Sequence, residues 1–272
     1  MGIFIAALLA SAMGVYAGAS ILKVWVGWDR CHLRVFAAAL FFSPAVNLFA
    51  KKPVIEFFLR RFHLTLHSAG WPWWFAVLVL LIVGVFEEGI KALPALVPSV
   101  RESIRSCASA TPMALTIGLG FALGEIWYVA YGIYQHDPAV ARMPFYMLGG
   151  FVGERVCAIV VYGFCILLAL RGLLPGRRYF VFGLGAAMAS HALADLPVML
   201  YQMKLIGAYP VSAALLVITI GCAIPFYRYS KQITSLNRAA LLSTGSRVLY
   251  VKEEDAESPR RSQDSDRMKK FY

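Results

Sequence analysis

Apolar runs of membrane-spanning length, separated by short polar stretches, occupy the chain from its start to about residue 227. A bilayer core takes about 20 residues of helix, so each run is read as a span. The first covers residues 2–22 and is rich in small residues. It is long for a signal-peptide core and follows no basic residue, so a retained helix is expected. The second runs over about 35–50, the third over 72–97, the fourth over 112–134, the fifth over 145–170, the sixth over 179–203 and the seventh over 208–227. Pro94 and Pro98 help to end the third span. Between the second and third, residues 51–70 mix Val54, Phe57, Phe58 and Phe62 with Arg60 and Arg61. They read equally as a helix lying in the membrane interface or as a solvated loop. Trp71, Trp73 and Trp74 resemble an interfacial aromatic belt.

The pattern predicts an all-α fold: a polytopic transmembrane helix bundle of about seven spans over residues 1–227, with its functional core at 72–203. The tail, 228–272, has ten Lys or Arg against six Asp or Glu and little apolar periodicity, so it is expected to be a disordered cytoplasmic segment.

Composition narrows the class. Charged residues make up 15% of the 272-residue chain and hydrophobic ones 60%. Soluble proteins carry about 25% charged residues, so an integral membrane protein is expected, in contact with the lipid bilayer. The formal charge of +11 would point to nucleic acid in a soluble protein. Here the basic residues lie in loops and tail, where the positive-inside bias and anionic lipid account for them, and no nucleic-acid partner is expected. Loop charges favour an outside N-terminus and a cytoplasmic C-terminus. Lys51, Lys52, Arg60 and Arg61 then fall outside, against the rule. The five cysteines form no Cys-x-x-Cys pair, which argues against a disulfide framework or structural zinc.

The chemistry lies in charges placed where lipid disfavours them. Nine acidic residues precede the tail, and five of them (Glu87, Glu88, Glu125, Glu154 and Asp195) fall inside expected spans. A charge at bilayer depth costs about 2.5–3.5 kcal/mol on insertion scales. These groups must therefore face one another, a cavity or a cation. Glu87 and Lys91 are four apart and share a helix face. Glu88 is turned about 100° from Glu87, so the two carboxyls can differ in surroundings, as acid–base pairs do. His191 and Asp195 are also four apart, so Asp195 is placed to orient the imidazole. Gly120-x-x-x-Gly124 and Gly149-x-x-x-Gly153 are expected to let helices approach closely beside Glu125 and Glu154. Asp29, Glu56, Glu102 and Asp137 are read as loop charges.

Glu87-Glu88-x-x-Lys91, Phe121-x-x-x-Glu125 and His191-x-x-x-Asp195, in that order and each in an apolar run, resemble the PrsW-like branch of the glutamic intramembrane protease superfamily. Glu154-Arg155 and Ser190-His191-Ala192-Leu193-Ala194-Asp195 are also similar to the related YhfC family, and more distantly to CAAX-type proteases. The resemblance covers about residues 84–200. The YhfC-type pattern would place Arg at Lys91 and His near Phe121 and Tyr162. The resemblance implies an intramembrane endopeptidase acting on a membrane-protein substrate. It makes Glu87 or Glu88 the base that activates water, the other glutamate balancing charge with Lys91. His191, oriented by Asp195, would stabilise the oxyanion or protonate the leaving nitrogen. Glu125 would be a second acid or position water, and Arg155 would neutralise Glu154 and fix the bundle. The structural role is preferred for Lys91, Glu154 and Arg155.

No cofactor is expected. Glu87, Glu88, Glu125, His191 and Asp195 offer metal ligands, but there is no His-Glu-x-x-His and no cysteine pair, so the metal-free reading is preferred. Two other functions use the same residues: a non-proteolytic membrane scaffold of this fold, and an ion-coupled transporter. The absence of an inverted repeat in the sequence counts against the transporter.

Overall fold

A computed structural model describes residues 1–26, 30–65, 70–104, 107–174 and 176–257. Asp29 and Arg105 lie outside the described residues, as do the last fifteen of the tail. The described elements are all helical. In lipid the backbone must satisfy its own hydrogen bonds, and helices do so within each segment.

In chain order the helices are α1 (Gly2–Val26), α2 (Arg30–Val46), a π-helical turn (Asn47–Lys51), α3 (Lys52–Arg61), α4 (Trp73–Ala92) and α5 (Pro98–Ser103). Then follow α6 (Cys107–His136), α7 (Pro138–Arg142), α8 (Gly149–Leu173), α9 (Arg177–Gln202) and α10 (Ala208–Glu257). Single 3-10 turns lie at Leu93–Leu96 and Phe145–Leu148.

Six described helical stretches are long and apolar enough to cross a membrane: Gly2–Lys23, Arg30–Arg61, Ser109–His136, Phe145–Leu173, Arg178–Gln202 and Ala208–Ile233. This is an integral, multi-pass membrane protein. Two expectations change. The third span, α4, is not among the six; it carries Glu87, Glu88 and Lys91 in its last six residues. The stretch read as interfacial helix or loop is instead, as far as Arg61, the end of one 32-residue helical run from Arg30. α4 still presents an apolar stripe outward, through Trp73, Val77, Leu81 and Val85, four residues apart.

α6 is the central helix, packed by α1, α2 and α8. Its small residues explain why. Lipid gives helices no hydrophobic reason to associate, so close backbone packing must do it. A Cβ at Gly120 would lie 2.5 Å from the Phe36 carbonyl oxygen, and one at Gly124 would lie 2.3 Å from that of Leu40. Pro44 cannot donate to the Leu40 carbonyl, four residues back, because it has no N–H. The second glycine pair behaves differently. Nothing lies within 4 Å of a Cβ built at Gly149 or Gly153, so neither brings helices together.

α4 packs chiefly on α9. Gly84 makes this possible: a Cβ there would lie 2.9 Å from the Met188 carbonyl oxygen. A smaller apolar cluster of Leu59, Phe75, Val79, Leu80, Met199 and Met203 ties α3, α4 and α9 together. The chain divides into a unit of Met1–Phe226 and a second unit from Tyr227. α10 remains helical to Glu257, beyond the end that hydropathy gives its span and into the stretch composition marks as disordered.

Candidate active site

Glu87, Glu88 and Lys91 occupy the last two turns of α4 and are all buried. His191 lies opposite on α9, equally buried. Burying ionised groups is costly unless they pair, and these do. Lys91 Nζ donates to Glu88 Oε1 at 2.6 Å and lies 3.8 Å from Glu87 Oε2. The closer partner is thus three residues away, where the sequence favoured Glu87 at four. His191 Nδ1 is 2.5 Å from the same Glu88 oxygen. Its Nε2 lies 3.6 Å from Glu87 Oε2 and 3.3 Å from Asp195 Oδ2. The imidazole is therefore held by Glu88 through Nδ1, with Asp195 near the other nitrogen.

The Lys91 ammonium also sits over two aromatic faces, 3.6 Å from the Tyr162 ring centre and 4.5 Å from that of Phe121. An ammonium over a desolvated ring gains about 2 kcal/mol. Tyr162 and Phe121 meet edge to face, their centroids 5.6 Å apart.

Glu87 has a partner the sequence did not point to. Lys51, in the π turn, donates to Glu87 Oε1 at 2.5 Å. In the sequence it falls outside, against the positive-inside rule, and that misfit is the one signal of its role. Tyr162 is the second addition. Its hydroxyl donates to Glu125 Oε2, and nothing in the sequence marked it beyond standing near where the YhfC-type pattern has a histidine.

A second cluster adjoins the first. Arg155 donates to Glu125 Oε2 at 3.1 Å, and it also bonds both oxygens of Glu154. It bridges two acids rather than neutralising Glu154 alone. A cavity of about 230 Å³ connects the clusters. Lys51, Glu87, Glu125, Glu154, Arg155, Tyr162 and Asp195 line its polar side; Val79, Val83, Val198 and Leu215 are among its apolar residues. Glu88 and His191 do not line it. The structure thus brings Glu87, Glu88, Lys91, His191 and Asp195 into one cluster and Glu125, Glu154 and Arg155 into another.

Three atoms within this network are buried and lack a hydrogen-bond partner: Glu87 Oε2, Glu88 Oε2 and His191 Nε2. Buried polar atoms without partners are uncommon, and a catalytic role or an ion is among their explanations.

A comparison with family models matches residues 28–222 to the PrsW family, described as intramembrane metalloproteases. The match covers most of the chain, and the protein belongs to this family. It extends well beyond the motif region at 84–200, and takes in α2, the π turn and α3. Comparisons with curated proteins and with solved structures gave no match.

The family description corrects the expectation that no cofactor is involved, since it points to a metal. The donors suit one in part. His191 Nε2 and Asp195 Oδ2 are 3.3 Å apart, close to the roughly 3.4 Å between neighbouring ligands on a tetrahedral zinc with bonds of about 2.1 Å. An imidazole nitrogen beside a carboxylate oxygen is a zinc-type donor set, and among the described residues this nitrogen has no hydrogen-bond partner. Among the described residues, no three His, Cys, Asp or Glu side chains are gathered to hold an ion. Lys51 and Lys91 supply positive charge beside the glutamates.

Proposed function

We propose that this protein is an intramembrane endopeptidase in which Glu87 accepts a proton from the attacking water, on a membrane-embedded or membrane-proximal segment of a protein substrate. Family membership supports the activity. One observation carries the choice of base: Glu87 lines the cavity, keeps one carboxylate oxygen without a hydrogen-bond partner, and is the only one of the adjacent glutamates to do both. Glu88 is committed to Lys91 and His191 and balances charge.

The remaining residues have separable tasks. His191, fixed through Nδ1 by Glu88, directs Nε2 toward Glu87 and Asp195, where it takes part in proton transfer to the leaving nitrogen. Glu125 is held by Arg155 and Tyr162 at the cavity wall and positions water. A metal, when bound, would be held by His191 Nε2 and Asp195 Oδ2, would take Nε2 out of proton transfer, and would acidify water and polarise the scissile carbonyl. Arg155, bonded to Glu125 and Glu154, offsets one of their two negative charges and lets Glu125 be buried.

The cavity's apolar wall, with Val79, Val83 and Val198, suits aliphatic side chains of the substrate.

The test is cleavage in proteoliposomes, using a panel of single-span membrane proteins. The wild type is compared with Glu87→Gln, Glu88→Gln and His191→Ala, with and without a chelator. The proposal expects product from the wild type and a loss of at least about 10² in rate for Glu87→Gln, the lower range for general-base removal. Wild-type rates in Glu87→Gln would reassign the base. No product from folded wild type across the panel would favour the scaffold reading.

A further inference from the structure

Lys51 reaches the site because the helix carrying it is irregular. The buried positions along this run include Ser43, Asn47 and Leu59, with Lys51 itself 16% exposed, all at multiples of four residues. In a regular α-helix, residues four apart are displaced by about 40° about the axis. By Leu59 the drift from Ser43 would reach about 160° and turn the inner residues outward. The π turn removes part of this drift. The Lys52 N–H donates to the Asn47 carbonyl five residues back, and Asn47 Nδ2 closes onto the Ser43 carbonyl at 2.8 Å. Such wide turns are rare and cluster at functional sites. This one brings a lysine to the edge of the cavity, onto the carboxylate proposed as the base.

The contact has a chemical consequence. A carboxylate side chain can rotate to offer either oxygen. With Oε1 donated to by Lys51, Glu87 presents Oε2, 3.6 Å from His191 Nε2 and without a hydrogen-bond partner. Lys91 is too far from Glu87, at 3.8 Å, to fix it by a hydrogen bond. Among the described residues, no other group hydrogen-bonds Oε1.

We propose that Lys51 is a positioning residue for Glu87: delivered by the π turn, its ammonium binds one carboxylate oxygen and so keeps the other free and aimed at His191. The inference rests on the reading of Glu87 as the base, and deepens it.

Two measurements on the full chain, purified and in nanodiscs, test it. The first is a double-mutant cycle of thermal unfolding with Lys51→Met and Glu87→Gln. Lys51→Met is expected to lower the midpoint by several degrees when Glu87 is present and by about a degree or less in the Glu87→Gln background. An equal loss in both backgrounds makes Lys51 a packing residue and overturns the proposal, whatever the activity. The second is steady-state cleavage of a fluorogenic single-span peptide. Lys51→Met is expected to lower kcat about tenfold or more with KM changed less than about twofold, and Lys51→Arg to restore kcat within about threefold. Unchanged kcat in Lys51→Met, or a change confined to KM, also overturns it. If the wild type cleaves nothing, the protease reading fails while the unfolding cycle still decides the role of Lys51.

Discussion

The ring of Tyr162 lies beneath the ammonium of Lys91, 3.6 Å from nitrogen to ring centre, while its hydroxyl donates to Glu125. One side chain thus joins the two polar clusters, and its two contacts can be separated. Tyr162→Phe keeps the ring and loses the hydroxyl bond; it is expected to cost about 1.5–3 kcal/mol, the value of a hydrogen bond to a charged acceptor. Tyr162→Leu also removes the face on which Lys91 rests and should cost about 2 kcal/mol more. Thermal unfolding of the two variants in detergent measures the difference. Equal losses would mean that the ring contributes no cation–π stabilisation.

The distribution of small residues shows what a sequence can and cannot reveal. The Glu-Glu-x-x-Lys run and the His191/Asp195 pair were legible because charges in apolar runs are costly and helical spacing fixes which share a face. The all-α bundle was legible for the same reason, through run lengths. The two glycine pairs looked alike, yet only Gly120 and Gly124 face another backbone. Which face of a helix meets a neighbour is set by tertiary packing, and spacing alone does not encode it. Lys51 was hidden by a different cause: a lysine pair after an apolar run reads as the end of a span, and residues 51–70 read as interfacial helix or loop, whereas the helix runs on through a wide turn that carries Lys51 to the site.

The glycines therefore give a paired prediction. Gly124→Ala places a Cβ 2.3 Å from the Leu40 carbonyl oxygen, a backbone atom that cannot swing aside. Overpacking of this kind costs about 1–3 kcal/mol. Gly153→Ala meets open space in the second turn of α8 and should be neutral or stabilising by up to about 1 kcal/mol from helix propensity. Unfolding midpoints of both variants, measured side by side, check the claim. A destabilised Gly153→Ala would mean that this face of α8 is covered in the membrane.

Lys91 is shared unequally between the adjacent glutamates, at 2.6 Å from Glu88 and 3.8 Å from Glu87. Lys91→Met leaves buried carboxylates without their cation, and breaking a buried pair in this way costs about 3–5 kcal/mol. Adding Glu88→Gln should recover most of that loss, because it removes the carboxylate that Lys91 chiefly serves. Adding Glu87→Gln should recover less, since Glu87 still has Lys51. Expression and unfolding of the two double variants give the ranking. A better rescue by Glu87→Gln would reverse the pairing drawn here.

The metal implied by the family separates ligand from base. If His191 and Asp195 hold it, His191→Ala should lose bound metal, and Asp195→Asn should bind it at least about ten- to a hundredfold more weakly, since losing a direct ligand costs no less than losing a partner that supports one. Glu87→Gln should keep the metal, because the amide changes the proton acceptor and leaves the two donors in place. Its cleavage should nevertheless fall by about 10² or more. Elemental analysis of the purified variants beside their cleavage rates provides the comparison. Retained metal with lost cleavage in Glu87→Gln assigns it as the base. Metal lost together with cleavage would make Glu87 a ligand, and the free oxygen that Lys51 secures would then be aimed at the ion rather than at water.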